Sequence, residues 1–190
     1  MRILSIDPAL NNTGWCIADY VPSLNKLTMI NGGLIVTEKA SQKTIRRSSD
    51  DLRRATEIAT ELKRLSQGVD IVFAEIPNGG AQNSRAVWSL GIVLGVLTNV
   101  AHLSLVEVTP TMTKMASVGR KDATKAEIIE WSVGMYPDLP WYKARGAKAI
   151  SPRNEHMADA VAILHAGLIH EDFGRYMAIL RKFSASRDDV

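Results

Sequence analysis

The sequence has little of what marks secreted, membrane-spanning or disordered proteins. Its one cysteine, Cys16, cannot form an intramolecular disulfide, so we expect a reducing compartment. No apolar stretch approaches the roughly 20 residues of a membrane-crossing helix, and no leader-like segment precedes the first strand pattern. Low-complexity and Pro/Ser-rich tracts are absent too. These absences predict a cytoplasmic protein with no membrane partner and no disordered arm.

The composition that remains is that of a globular protein. With 190 residues and 46% hydrophobic content the chain can bury one substantial core, which predicts a single domain over residues 1–190. The net charge of +3 permits a nucleic-acid partner but also suits many other enzymes. Basic residues between Arg46 and Arg64 are equally well explained as a solvated helix face. Two later groups are more typical of loops that contact phosphates: Lys114, Arg120, Lys121 and Lys125, then Lys143, Arg145, Lys148 and Arg153.

Hydrophobic periodicity predicts an α/β fold in which a mixed sheet is covered by helices. Three antiparallel strands come first, and helices then alternate with strands in parallel crossovers. The predicted strands are residues 2–7, 13–18, 27–37, 69–76 and 103–108. The predicted helices are residues 45–67, 84–101, 110–117, 123–135 and, as the final one, 155–169. Gly32 and Gly33 inside the third strand indicate a bulge or a close approach of two backbones.

Two acids each lie at the end of a predicted strand that is otherwise largely apolar. Asp7 closes the run Ile-Leu-Ser-Ile-Asp, and Glu75 closes Ile-Val-Phe-Ala-Glu. A single acid of this kind is as well explained by a hydrogen bond to a backbone amide or by a basic partner. Two of them favour a functional site, because burying an unpaired charge is strongly unfavourable.

A third group of candidate ligands lies in the last predicted helix. His156 and Asp159 are three residues apart and therefore share a helix face, and Glu155 and Asp159, four apart, can share one as well. Carboxylates from two strands and one helix would form an oxygen-rich site that suits Mg²⁺, with two ions a plausible number. A histidine ligand would shift the preference somewhat towards Mn²⁺.

These residues resemble the RuvC family of Holliday-junction resolvases, within the RNase H-like (retroviral integrase) superfamily, with phage-type members the nearest kind. The segment ILSIDPALNNTGWCIAD from Ile3 to Asp19 is similar to the first hairpin of the family. IVFAEIPNGGAQNS around Glu75 resembles its second acidic strand, and His156-Met-Ala-Asp-Ala its final acid-bearing helix. The three motifs occur in the order and spacing of the family over about residues 1–170.

The resemblance implies a five-stranded RNase H-like sheet and a metal-dependent endonuclease acting on Holliday junctions and other branched DNA in recombination or repair. Asp7, Glu75 and Asp159 would be its catalytic metal-binding acids, and His156 its fourth ligand, with Glu155 as a competitor. Lys114 and Lys125 match basic positions beside the scissile phosphate. Symmetric cleavage of a junction further implies a C₂ homodimer, and the apolar helix 84–101 is our candidate for part of its interface.

The sequence also departs from the family pattern. Residues 77–83 lack the aromatic residue with which some relatives stack on bases, so strict sequence preference is not expected. The stretch 136–153 is longer than the corresponding loop. Within it, Trp141 and Tyr142 either stack on DNA or pack against the protein.

Three alternatives stay open at this stage. Asp7 with Thr13 and Gly14 also resembles the phosphate-binding hairpin of actin-like ATPases and sugar kinases, although this chain has room for only one of their two lobes. A nuclease for flaps or RNA:DNA hybrids would use the same acids. A non-catalytic junction-binding protein would use the basic surface while keeping the acids for structure.

Overall fold

The computed structural model describes residues 1–76, 83–100, 102–143 and 150–188, with side chains up to residue 182. Its five strands are β1 (Arg2–Asp7), β2 (Asn12–Val21), β3 (Lys26–Val36), β4 (Ile71–Glu75) and β5 (Ser104–Val108). The α-helices of the described residues are α1 (Arg47–Leu65), α2 (Ser84–Leu97), α3 (Pro110–Ser117), α4 (Lys125–Met135), α5 (Glu155–Leu168) and α6 (Glu171–Asp188).

The strands form one mixed sheet in the order β3-β2-β1-β4-β5. β1, β2 and β3 pair antiparallel, whereas β4 runs parallel to both β1 and β5. The predicted fold class is thereby confirmed, including the change from antiparallel hairpins to parallel crossovers. This topology brings the carboxyl ends of β1 and β4, and hence the two acids, to one edge of the sheet.

Each face of the sheet carries a hydrophobic core, because successive strand residues point to opposite sides. On one face Ile3 and Phe73 pack with α5, whose apolar residues from Met157 to Ala166 are buried. On the other face Leu4 and Val72 pack with α1 and α2. The sheet is thus covered on both sides, and α5 is the helix that lies against its centre.

Small residues let α5 approach the sheet closely. A Cβ atom on Gly14 would lie 1.8 Å from the backbone oxygen of His156, so only glycine fits at this position of β2. The Ser5 hydroxyl donates to the carbonyl of Ala160 at 2.7 Å and fixes the helix against β1. A close backbone approach is present at Gly32, whose Cβ would lie 3.3 Å from the backbone oxygen of Trp15, whereas a Cβ on Gly33 would meet the Trp15 ring. The β-bulge lies nearby, where the register shifts between Ile17 and Ala18 of β2.

Other differences from the predicted elements are small, apart from one helix. The predicted helix 45–67 begins and ends two residues further in, and the predicted strand 69–76 shortens to 71–75. The helix ending at Leu168 is not the final one, because α6 follows after two residues. A polar start with Glu171 and Asp172, and Gly174 inside the first turn, obscure the apolar periodicity of α6.

Candidate metal centre

Asp7 stands at the rigid end of a buried strand. The residues before it in β1, Ile3, Leu4, Ser5 and Ile6, are fully buried, and Asp7 itself pairs with Gly14 of β2. The side chain keeps 13% of its surface exposed, so its carboxylate is held by the sheet and still reachable by a small cation. Both properties suit a group that must bind a cation in a fixed place.

The first turn of α5 brings two further candidate ligands to Asp7. The Nδ1–H of His156 donates to Oδ2 of Asp7 at 2.6 Å. Asp7, His156 and Asp159 each offer a ligand atom, and these atoms all lie within 4.8 Å of one another. The three-residue spacing of His156 and Asp159 therefore has the predicted consequence, because one face of α5 presents both to β1.

Glu75 lies beside this group but outside the tight cluster of three. Its strand runs parallel to β1, with Ala74 opposite Ile6, so Glu75 and Asp7 follow at the same level of the sheet. Oε2 of Glu75 accepts a hydrogen bond from the hydroxyl of Thr113 in α3 at 2.8 Å. The sequence singled out the neighbouring Lys114 and missed Thr113, whose contact depends on the packing of α3.

The electrostatics of the centre are those of acids crowded together. Burial, with Asp7 and Glu75 nearby, raises the pKa of Asp159 to about 8. Burial also raises the pKa of Glu75, with a smaller contribution from the charge of Asp7. For His156 the hydrogen bond to Asp7 raises the pKa, because it stabilises the charged imidazolium. Without a cation, each of these carboxylates therefore disfavours the charged form of its neighbours.

The donor set fits a divalent cation. Carboxylate oxygens with one imidazole are ligands that Mg²⁺ or Mn²⁺ accepts. No Lys or Arg of the described residues forms an ion pair with Asp7, Glu75 or Asp159. A cation at this position would reduce the mutual repulsion of the acids, as a paired charge does elsewhere in a protein.

The competitor Glu155 has a different partner. Its Oε1 forms a hydrogen-bonded ion pair with Nζ of Lys125, at the start of α4. This contact and the nearby charges of Asp159 and Asp7 raise the pKa of Lys125. The structure therefore brings His156 to Asp7 and directs Glu155 to Lys125, whose charge lies near those of Asp159 and Asp7.

Known proteins resemble this chain over most of its length. No protein-family model matches the chain. A crossover junction endodeoxyribonuclease RuvC from Ehrlichia ruminantium (strain Gardel) is 30% identical over 171 residues, which cover 87% of this chain and 96% of the relative. The chain belongs to the RuvC family. A RuvC from Paramagnetospirillum magneticum is 28% identical over 177 residues, 87% of this chain and 91% of the relative.

Solved structures agree on the RuvC fold. Thermus thermophilus RuvC in complex with a Holliday junction substrate superposes with a TM-score of 0.64 at 20% identity, covering 92% of this chain and 96% of that one. The yeast mitochondrial Holliday junction resolvase Ydc2 gives 0.58 at 13% identity, covering 87% and 77%. The relatives named above come from E. ruminantium and P. magneticum, so the expected likeness to phage-type members is not supported.

The residues predicted to contact DNA differ in their exposure and in whether they already have an ion-pair partner. Lys121 and Lys143 are exposed, and Arg153 stacks on the Tyr142 ring at 4.5 Å. Arg120 instead pairs with Glu127 of α4 and so has a partner already. Arg145 and Lys148 lie outside the described residues, as does most of the loop 77–83.

The aromatic pair of the long loop divides between core and surface. Trp141 is buried, and its indole Nε1 donates to the carbonyl of Tyr136 at 2.8 Å, so it packs against the protein and is not placed to stack on DNA. Tyr142 is half-buried beneath Arg153.

None of the described helices has the length and apolar character that a membrane crossing requires.

Proposed function

We propose that Asp7, Glu75, His156 and Asp159 hold the divalent cations with which this structure-selective endonuclease cleaves Holliday junctions and other branched DNA. The activity follows from the relatives, which are named crossover junction endodeoxyribonucleases. The observation that carries the residue assignment is the set of three ligand atoms within 4.8 Å of one another at the end of β1. Glu75, at the same level on the adjacent parallel strand, completes it.

Two Mg²⁺ ions are the proposed complement, with Mn²⁺ as an alternative that the imidazole of His156 would tolerate. Bound cations of this kind supply water activation and charge neutralisation in phosphodiester hydrolysis. The protein's part is to fix the carboxylates before substrate arrives: Asp7 by β1, Asp159 by α5 and Glu75 by the hydroxyl of Thr113. Such preorganisation is what makes an electrostatic site effective.

Lys125 and Lys114 are proposed to hold the phosphate group that is cleaved. Lys125, exposed at the start of α4, lies within electrostatic reach of Asp159 and Asp7. Lys114 of α3 acts likewise on Glu75, whose pKa its charge lowers. The exposed Lys121, Lys143 and Arg153 would contact the DNA backbone further away, as Arg120 would after exchanging its bond to Glu127. We extend this contact role to Arg145.

A C₂ homodimer is proposed as the working form, with one metal centre in each protomer. In α2, Val93 and Leu97 belong to the core, so they are not available for an interface. Another face of the helix carries Val87 and Trp88, which are 55% and 56% exposed, and Leu94. This apolar stripe is the proposed contact, and Val87→Glu is expected to shift the mass in light scattering from dimer to monomer.

Cleavage of a synthetic mobile four-way junction tests the assignment of the metal ligands. Wild type is expected to nick the junction only with Mg²⁺ or Mn²⁺, and Asp159→Asn to lose cleavage while still binding it. Glu61→Gln, an exposed acid of α1 paired with Arg64, is the matched control and should cleave normally. Full cleavage by Asp159→Asn would show that the site is misassigned. Three-way, flap and RNA:DNA hybrid substrates measured alongside would reveal a different preference.

A further inference from the structure

A polar cavity of about 340 Å³ lies between the β3–α1 connection and the start of α2. It shares no residue with the metal centre. Its charged lining residues are Lys39, Lys43, Arg47, Asp50, Asp51, Arg54 and Arg85. Arg54 contacts Leu10, just after β1, and Thr37, just after β3, so the cavity is at the same end of the sheet as Asp7. It lies on the side of α1, whereas the metal centre lies on the side of α5.

The acids of this cavity already have strong partners. Asp50 pairs with Arg53 at 2.7 Å, and Asp51 receives two bonds from Arg85 at 2.5 and 2.6 Å. The exposed cations of the lining, by contrast, form no ion pair with any described residue. They are Lys39, Lys43 and Arg47. The cavity therefore has an excess of positive charge, with no acid left to neutralise it.

Arg54 supplies a donor with no acceptor. The residue is fully buried; its Nε donates to the hydroxyl of Thr37, and its Nη2 to the carbonyl of Leu10, each at 3.0 Å. Nη1 has no hydrogen-bond partner, and the nearest acid, Asp51, lies 3.8 Å away. Buried donors are rarely left unsatisfied, so an acceptor oxygen in the cavity would complete this guanidinium. The start of α1 adds to the attraction, because Arg46 caps it without a side-chain hydrogen bond.

We propose that this cavity binds a backbone phosphate of a DNA arm, away from the phosphate that is cleaved. The inference rests on the proposed function in taking branched DNA as the source of the phosphate. Phosphate is the chemistry that a guanidinium donor, two lysines and an open helix start recognise. A DNA arm is favoured over a free anion because the cations are exposed and lie at the same end of the sheet as the carboxylates, where a bound duplex must pass.

Binding of a fluorescent four-way junction in EDTA, measured by anisotropy over a salt series, tests the proposal without cleavage. Lys43→Ala/Arg47→Ala should weaken binding about tenfold at low salt and make the slope of log K against log salt shallower by about 1. Lys63→Ala is the matched control, an exposed lysine near the other end of α1, and should keep the wild-type slope. Both changed side chains are exposed, so the melting temperature should stay near that of wild type. Lys39→Ala/Lys43→Ala provides a second variant, outside the helix.

The outcomes separate this inference from the proposed function. A wild-type slope in both double variants, with normal cleavage by wild type, would overturn the phosphate site alone. Stabilisation of wild type by inorganic phosphate that Lys43→Ala/Arg47→Ala abolishes, without any change in junction binding, would also overturn it, as the cavity would then serve a small anion. Failure of wild type to bind or cut the junction counts instead against the proposed function.

Discussion

Two regions of the molecule bury acids at the same end of the sheet, and their pKa values move in opposite directions. On α1 the hydrogen bonds from Arg53 and Arg85 lower the pKa of Asp50 and Asp51. In the metal centre, burial and neighbouring carboxylates raise the pKa of Glu75 and Asp159. The acids of α1 therefore belong to an ion-pair network, whereas Glu75 and Asp159 form no ion pair with a Lys or Arg of the described residues.

The difference separates scaffold from site. Asp51 has three donors around it, from Arg85 twice and from the Trp88 indole, so its charge is already compensated. Asp159 forms no ion pair with a Lys or Arg of the described residues, and burial with the charges of Asp7 and Glu75 raises its pKa. Charge left uncompensated inside a protein costs stability, and it is retained where a ligand will compensate it. Burial alone therefore does not distinguish the two regions; the presence or lack of an ion-pair partner does.

Asp7→Asn is expected to have the largest effect and separates stability from activity. Loss of this carboxylate should lower junction cleavage on the order of 10³-fold, because it removes a preorganised electrostatic group. The melting temperature in EDTA should stay the same or rise, since repulsion with Asp159 and Glu75 falls. Cleavage kinetics and calorimetry measure the two effects. A large loss of stability without metal would place Asp7 in the scaffold instead.

Asp51→Ala should lower stability strongly and cleavage only weakly. Arg54 and Arg85 would lose their shared acid, and uncompensated buried charge typically costs about 3 kcal/mol in the free energy of unfolding. Urea denaturation measures it, with Glu61→Ala as the control, since that exposed pair with Arg64 contributes at most about 0.5 kcal/mol. Cleavage per folded molecule should fall much less than for Asp7→Asn. A neutral Asp51→Ala would remove the contrast between the two regions.

Gly14→Ala tests how the close approach of α5 supports the site. The added Cβ would collide with the His156 backbone, so α5 must shift and carry His156 and Asp159 away from Asp7. A displacement of about 1 Å can cost up to about a hundredfold in rate. Cleavage should fall tenfold to a hundredfold and require more Mg²⁺. Gly134→Ala, in α4 with open space around it, should leave cleavage unchanged.

The candidate ligands could be named from the sequence, whereas the residues that hold them in place could not. Asp7 and Glu75 were found because each ends an apolar strand run, a signal that is local in the chain. His156 and Asp159 followed from helical spacing. The roles that were missed depend on residues far apart in sequence: Thr113 reaches Glu75 across 38 positions, and Gly14 faces α5. Nothing local to those residues indicates which neighbour they will meet.

Arg54 is the residue whose environment is hardest to predict from the local sequence. Within a helical pattern rich in Arg and Lys it is indistinguishable from the solvated Arg53 beside it, yet it is fully buried. Its burial is decided by acceptors on the loop after β1 and at Thr37, which lie 44 and 17 residues away. Tertiary packing overrides the local pattern here, as it does for the start of α6.

Acid titration gives the smallest expected effect, and the difference between Asp51→Asn and wild type isolates the part of the α1 network. The pKa of Asp51 is lowered by its bonds to Arg85, so its contribution to stability is complete above the unfolded pKa of about 3.9 and is lost as pH falls through the lower folded value. The free energy of unfolding of wild type should therefore drop below about pH 4, and Asp51→Asn should show a shallower drop. Glu130→Gln, an exposed acid without a described ion pair, should follow wild type. Equal slopes in Asp51→Asn and wild type would mean that Arg85 and Asp51 do not hold their bond in solution, and the scaffold half of the comparison would then rest on packing alone.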